Sequence, residues 1–205
     1  MYIITGKYNT FFEYETIVLK GLLFGNMDLC YKKESMKKIV IIYDGITEEL
    51  AKMVASQLQV GKESVRPISS LTPVKIKDYD TILLGLSANG NTEEAIKLLS
   101  GVDLKDKTVG LFGHCARKAG MEMFCSLTGR FHDFLKNSGA HFIGAMPVED
   151  YKAGAPIVAE GNEYVGLAFD EAIDGKATDS RVQAWTDIMN NNPNSQPLFG
   201  SVRKK

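Results

Sequence analysis

The feature that most constrains the fold is a regular alternation of apolar runs and amphipathic segments that begins at residue 38. Continuous apolar runs predict buried strands at residues 38–43, 79–85, 107–113 and 139–145, with a weaker strand at 64–69 and a short one at 164–168. Apolar residues three or four positions apart predict helices at residues 47–58, 91–99, 121–137 and 178–189. Strands that are apolar along their whole length are buried on both faces, as in a parallel sheet between two helix layers. The sequence therefore predicts an α/β fold with a doubly wound five-stranded parallel sheet.

This architecture predicts where a ligand would bind. In doubly wound sheets, ligands lie outside the carboxyl ends of the strands, at the point where the strand order reverses. The segments of interest are therefore the loops that follow Tyr43, Leu86 and Gly113.

Net charge limits the classes of partner. The chain has 24 Lys and Arg against 25 Asp and Glu, which gives a formal charge of −1. Because a near-neutral chain has little electrostatic attraction for polyanions, we expect neither a nucleic acid nor a membrane surface as partner. The cysteines (Cys30, Cys115 and Cys125) lack CxxC spacing and predict no disulfide framework, and the three scattered histidines predict no metal site. Cytoplasmic residence is the corresponding expectation.

Composition divides the chain into three segments. Residues 1–35 hold a broken apolar run that is too short to span a bilayer, for which about 20 residues are needed. Met36 directly precedes the first strong strand, so the segment is either an extension upstream of the true start or a docking extension. Residues 36–190 form the predicted α/β domain, and residues 191–205 form a loose polar tail.

Four stretches of the sequence resemble one known family. Residues 38–43 lead into 45–52, which is similar to the end of a Thr-Gly-x-Thr-Glu-x-Ala-Lys phosphate loop and its helix. The other matching stretches are residues 79–85, 104–113 and, most specifically, 163–170 with 175–185. On these stretches the chain resembles the flavodoxins. The interruption at residues 147–162 is similar to the loop that splits the last strand of the long-chain type.

The resemblance implies an activity. Flavodoxins are FMN-binding electron carriers that shuttle electrons between a reductase and an acceptor, so it implies a monomeric, non-enzymatic carrier with protein redox partners. A hydroxyl-rich loop at a helix N-terminus would hold the FMN phosphate, and two further loops would enclose the isoalloxazine ring.

The first of these loops departs from the family pattern. It comprises Asp44, Gly45, Ile46 and Thr47, is shorter than the family's loop and lacks most of its hydroxyls. Asp44 stands where the family has a phosphate-binding threonine. A carboxylate about 4 Å from a phosphate would cost about 4 kcal/mol at an effective dielectric constant near 20. A second interpretation makes Asp44 a helix cap.

The other two loops supply the remaining candidate FMN contacts. In the second loop, Ser87, Asn89 and Gly90 either take part in anion binding or form a capped helix entry. The third loop lacks the family's stacking tyrosine. It offers Gly113, His114, Cys115 and Met121, of which His114 and Met121 are candidates to pack on the ring. Cys115 is either a reactive thiol or a small buried hydrophobic residue.

Three functions follow from these observations. The first is an FMN-binding electron carrier. The second is a flavodoxin-fold protein that has lost FMN and serves as a binding or regulatory module. The third is a flavin reductase that uses NAD(P)H, for which the sequence offers no nicotinamide site.

Overall fold

The computed structural model describes residues 2–6, 15–19, 38–87, 90, 92–114, 126–147, 159–160, 163–169 and 178–191. The chain separates into two compact units, Met1–Met36 and Lys37–Lys205. In the first unit, strand β1 (Tyr2–Gly6) pairs antiparallel with β2 (Glu15–Leu19).

The second unit is built on a parallel sheet. Its strands β3 (Ile39–Tyr43), β4 (Val65–Pro67), β5 (Thr81–Ser87) and β6 (Thr108–His114) lie in the order β4-β3-β5-β6. Each neighbouring pair is parallel. Because β3 lies between β4 and β5, the chain winds outward from it in both directions, which confirms the predicted doubly wound α/β fold.

The fifth position of the sheet is shared by two segments. β7 (His141–Ile143) pairs with residues 108–110 of β6, and β11 (Leu167–Phe169) pairs with residues 112–114 of the same strand. Between them, β8 (Met146–Pro147), β9 (Ala159–Glu160) and β10 (Glu163–Tyr164) form a small antiparallel sheet. The last strand is therefore split, as the resemblance to the long-chain type implied.

The helices cover both faces of the sheet. They are α1 (Glu48–Gln57), α2 (Pro73–Ile76), α3 (Thr92–Ser100), α4 (Ser126–Leu135) and α5 (Thr178–Asn191). α1 and α5 pack with Ile41 and Leu83 on one face, whereas α3 and α4 pack with Val40 and Ile42 on the other. Successive residues of β3 thus enter opposite cores, which explains why its sequence is apolar throughout.

Several predicted boundaries differ from the structure. β5 begins at Thr81 rather than at residue 79, because Tyr79 N donates to the carbonyl oxygen of Ile76 at 3.0 Å and so belongs to the turn after α2. The helix expected at 121–137 ends at Leu135, and residues 121–125 lie outside the described residues. α5 extends to Asn191, two residues beyond the predicted end at residue 189, so residue 191 is helical rather than part of the tail.

The single strand predicted at residues 164–168 was also wrong, because the structure has two strands there, β10 and β11. The chain passes from the small sheet to the main sheet at Gly166. A Cβ at this position would overlap the carbonyl oxygen of Leu111 in β6. This close approach of two backbones requires glycine and separates the two pairings.

Trp185 of α5 fixes the place where the split strand leaves the main sheet. Its Nε1 donates a hydrogen bond to the carbonyl oxygen of Gly144 at 2.7 Å, directly after β7. Gly144 has a φ of 80°, and a Cβ there would overlap the indole nitrogen. The indole is fully buried, with its ring centroid 5.8 Å from that of Phe112. The Trp185 side chain thus connects α5 with β6 and with the segment that leaves β7.

We expect Trp185→Phe to lower the free energy of unfolding by about 2–3 kcal/mol, because it leaves a buried carbonyl without its donor and creates a cavity. The measurement is urea unfolding followed by far-UV circular dichroism, since Trp185 is the chain's one tryptophan. Gln183→Ala is the matched control on the exposed face of α5, where the side-chain amide donates to Asp187, and should change stability by less than about 0.5 kcal/mol. Equal losses for the two variants would contradict this role of Trp185.

Candidate functional site

The candidate site lies at the carboxyl ends of β3 and β5. The chain leaves β3 for α1 on one face of the sheet and leaves β5 for α3 on the opposite face. Two connections that diverge to opposite faces open a crevice between them, which is the general ligand-binding position in this class of fold.

Asp44 joins the two connections through its carboxylate. Oδ2 accepts hydrogen bonds from Ser87 N at 2.7 Å and Ser87 Oγ at 2.8 Å. Oδ1 accepts hydrogen bonds from Thr47 N at 3.1 Å and Thr47 Oγ1 at 2.9 Å. The residue is only 6% exposed. Each carboxylate oxygen therefore has two donors, one from the backbone and one from a hydroxyl group.

The local sequence explains this arrangement. β3 ends at Tyr43, and Asp44 N donates to the carbonyl oxygen of Gly85 in the neighbouring strand at 3.3 Å. Thr47 N also donates to the carbonyl oxygen of Asp44 at 3.0 Å, which closes a tight turn. Thr47 is fully buried, and its own carbonyl accepts from Ala51 N as α1 begins. The short loop thus turns Asp44 inward rather than toward solvent.

Gly90 encloses the carboxylate from a third side. Its N–H donates to the carbonyl oxygen of Ser87 at 2.9 Å, which folds the loop back over the strand end. A Cβ at Gly90 would overlap Asp44 Oδ2 and would lie 2.9 Å from Ser87 Oγ. We call Asp44, Thr47, Ser87 and Gly90 the Asp44 cluster.

Further acidic residues begin α1. Glu48 and Glu49 lie in its first turn, and both form ion pairs with Lys52 Nζ, at 2.9 Å and 2.7 Å. Their carboxylates accept hydrogen bonds from Lys52, Glu49 most strongly, and raise the pKa of that amine above its ordinary value. Because these side chains are largely exposed, solvent screens the pairs. The N-terminus of α1 therefore carries acidic groups in addition to Asp44.

The third predicted loop begins beside this cluster. His114 lies opposite Ser87 in the register of β5 and β6, and Phe169 lies opposite His114 on the other side. The His114 and Phe169 rings meet edge to face, with centroids 5.8 Å apart. We call the strand-end residues Asp44, Ser87, His114 and Phe169 the carboxyl edge.

The structure brings together part of the predicted site. Asp44, Thr47, Ser87 and Gly90 form one cluster. In the same turn, a Cβ added at Gly45 would meet open space, and Ile46 is 50% exposed. Gly113 lies within β6, next to His114. The remaining predicted contacts, Asn89, Cys115 and Met121, lie outside the described residues.

Two features of this edge were missed by the sequence analysis. The bonds between Asp44 and Ser87 join residues 43 positions apart, and no local pattern indicates them. The available signal was that each residue is the polar one at the end of an apolar strand. Phe169 was missed because the predicted strand stopped at residue 168, one position before it.

Two kinds of functional feature are absent from the described residues. No cluster of three or more His, Cys, Asp or Glu side chains there is arranged to hold a metal ion. Within the same residues, no helix has the length and apolar character needed to cross a membrane.

The fold and the site define a class of protein. It is a doubly wound α/β protein whose main-sheet strands, counted in chain order from β3, lie in the order 2-1-3-4-5, with a polar cluster at the switch point. No protein-family model matches the sequence. Flavodoxin 1 of Salmonella typhimurium is 30% identical over 148 residues, which cover 69% of this chain and 84% of that protein. Flavodoxin 2 of Escherichia coli K12 is 27% identical over 179 residues, 83% of this chain and 94% of that protein. The chain belongs to the flavodoxin family.

A crystal structure agrees with this assignment at the level of fold. The Fusobacterium nucleatum flavodoxin bound to flavin mononucleotide superposes with a TM-score of 0.63 at 22% identity, covering 73% of this chain and 95% of that one. The split fifth strand agrees with the long-chain type of flavodoxin.

We expect Ser87→Ala to lower the free energy of unfolding by about 2 kcal/mol, because it removes one donor from a buried carboxylate. Ser70→Ala is the matched control, since the Ser70 hydroxyl donates to an exposed backbone carbonyl, and should cost less than about 0.5 kcal/mol. Urea unfolding of the two variants beside the wild type measures both values. A Ser87→Ala loss no larger than that of the control would contradict the role given to Asp44.

Proposed function

We propose that this chain is a flavodoxin-type electron carrier that binds FMN at the carboxyl edge. The observation that carries the proposal is the placement of the candidate residues at the switch point of a sheet that belongs to the flavodoxin family. This is the position at which FMN binds in the same fold. When bound, FMN would supply the redox chemistry, so the chain's own residues need only bind and orient it and limit the access of water.

The residues present fit one part of FMN better than the other. An isoalloxazine ring needs apolar and aromatic surfaces. The half-buried His114 ring, opposite Ser87 in the sheet register, and the exposed Ile46 side chain offer such surfaces, whereas Phe169 is buried in the core. A phosphate needs free hydrogen-bond donors. The donors of Thr47 and Ser87 bind the Asp44 carboxylate, so the cluster does not fit a phosphate.

The proposed setting is that of a soluble redox shuttle. The carrier would act as a cytoplasmic monomer between a reductase and an acceptor protein. With a net charge of −1, long-range steering toward either partner would be weak, and recognition would rest on contacts at short range.

One observation favours a second function, a flavodoxin-fold binding or regulatory module without FMN. The Asp44 carboxylate already pairs with the Thr47 and Ser87 donors at the switch point. A site whose donors are already paired can be stable as an apoprotein.

The experiment that separates the two functions is an absorption spectrum of the purified full-length protein, followed by titration of the apoprotein with FMN. The proposed carrier predicts flavin absorption bands, or saturable quenching of FMN fluorescence with micromolar or tighter affinity. A protein without flavin bands that also gives no saturable titration would contradict the carrier and support the module.

A variant pair tests where FMN binds. We expect Ile46→Asp to weaken FMN binding about tenfold or more, because a charge at the exposed turn would be desolvated against the ring. Val74→Asp is the matched control: Val74 is 67% exposed on α2, which leads into the opposite end of β5. Equal FMN affinities of the two variants would contradict binding at the carboxyl edge.

A further inference from the structure

We propose that Asp44 is a built-in anion that takes the place of the flavin phosphate, so that this chain binds riboflavin at least as tightly as FMN. The proposal rests on the proposed flavin binding and adds its specificity. Asp44 is the specificity-determining residue, and the favoured ligand class is the uncharged flavin.

The donors around the Asp44 carboxylate are those of an anion site. Two backbone N–H groups and two hydroxyl groups converge at the start of a helix, at the switch point of the sheet. This combination is typical of an anion site in an α/β fold. Here the anion is the carboxylate of the chain itself, at distances of 2.7–3.1 Å.

The contacts of Asp44 are not those of a helix cap. A cap is a side-chain acceptor for an N–H group in the first turn of α1, whereas Asp44 Oδ1 accepts from Thr47 N, the residue before that turn, and Thr47 itself, the N-cap, makes no side-chain capping bond. The bonds from Ser87 N and Oγ to Oδ2 come from the last residue of β5 and contribute nothing to capping. Oδ2 thus fills the second half of an anion site that spans both loops.

Charge repulsion also disfavours a phosphate at this site. A phosphate about 4 Å from the Asp44 carboxylate would meet a repulsion worth about three orders of magnitude in affinity. Glu48 and Glu49 carry the same sign of charge at the start of α1, with Lys52 as their shared counterion. The uncharged terminal hydroxyl of riboflavin meets no such repulsion.

Four hydrogen bonds and the adjacent Gly90 hold the Asp44 carboxylate in place. To free the donors, its carboxylate would have to break four charge-assisted hydrogen bonds while enclosed by Gly90. The phosphate group of FMN would therefore add nothing to the binding that the ring and the ribityl chain provide.

The test is a titration of the full-length protein with riboflavin and with FMN, each followed by flavin fluorescence in phosphate-free buffer. The quantity measured is the ratio of the dissociation constant of FMN to that of riboflavin. Because both ligands are measured on the same preparation, a partly unfolded variant leaves this ratio unaffected. We expect a ratio of about one or higher for the wild type.

Three variants make the test specific to Asp44. Asp44→Thr frees the Ser87 donors and adds a hydroxyl, and we expect the ratio to fall by between about tenfold and a thousandfold. Asp44→Asn removes the charge with little change of shape and should shift the ratio in the same direction. Asp78→Asn makes the same change on an exposed residue before β5, at the opposite end of the sheet, and should leave the ratio unchanged.

A wild-type protein that binds FMN about tenfold more tightly than riboflavin would overturn this proposal and leave the proposed function standing. A ratio that Asp44→Thr and Asp44→Asn leave unchanged would overturn it in the same way. Failure of both flavins to bind the wild type would overturn the proposed function and this proposal with it.

Discussion

The hydrogen bonds between the Asp44 carboxylate and the loop donors of Thr47 and Ser87 are the interaction on which the functional edge of this protein depends. A buried carboxylate is costly unless hydrogen bonds replace its hydration. Two backbone and two hydroxyl donors meet that requirement. Since the donors come from the connections after β3 and after β5, the same bonds hold the two walls of the crevice together. The Asp44 carboxylate, a charged group of the chain itself, thus fixes the geometry of the site.

A second constraint shapes the far side of the sheet. The fifth position is divided between β7 and β11, and both parts pair with the single strand β6. The divided strand stays in register because Trp185 binds the Gly144 carbonyl at one end of the insertion, and because Gly166 lets the returning chain approach Leu111 at the other. This register places Phe169 beside His114. Packing at the closing helix therefore decides which aromatic residue reaches the carboxyl edge.

Much of the fold could be predicted from the sequence, because its pattern is strong and local. The apolar residues of β3 and β6 alternate between two cores, so the sequence reveals strands buried on both faces. The break between β10 and β11 at Gly166 could not be predicted, since it depends on a contact with Leu111, more than 50 positions earlier in the chain. α2 is a single turn and too short to show a helical period.

The candidate site was predicted in part for the same physical reason. Asp44 and Ser87 could be assigned to the switch point because each is the polar residue at the end of an apolar strand. What Asp44 does there could not be predicted. One interpretation was that the Asp44 carboxylate repels a phosphate, and the other was that it caps a helix. They differ only in which donors reach the carboxylate, and that depends on the spacing of two strands in the folded sheet. In the structure, the N-cap of α1 is Thr47 and makes no side-chain capping bond, while Asp44 accepts from Thr47 N in the turn before the helix and also binds Ser87 at the end of β5.

The most direct test of the role of Asp44 is a crystal structure of the full-length protein grown with FMN. We expect Asp44 Oδ2 to remain bonded to Ser87 N and Oγ, near the distances of 2.7 and 2.8 Å found here, with the phosphate outside the cluster. A phosphate bound to the Ser87 and Thr47 donors, with the Asp44 carboxylate turned toward solvent, would contradict it.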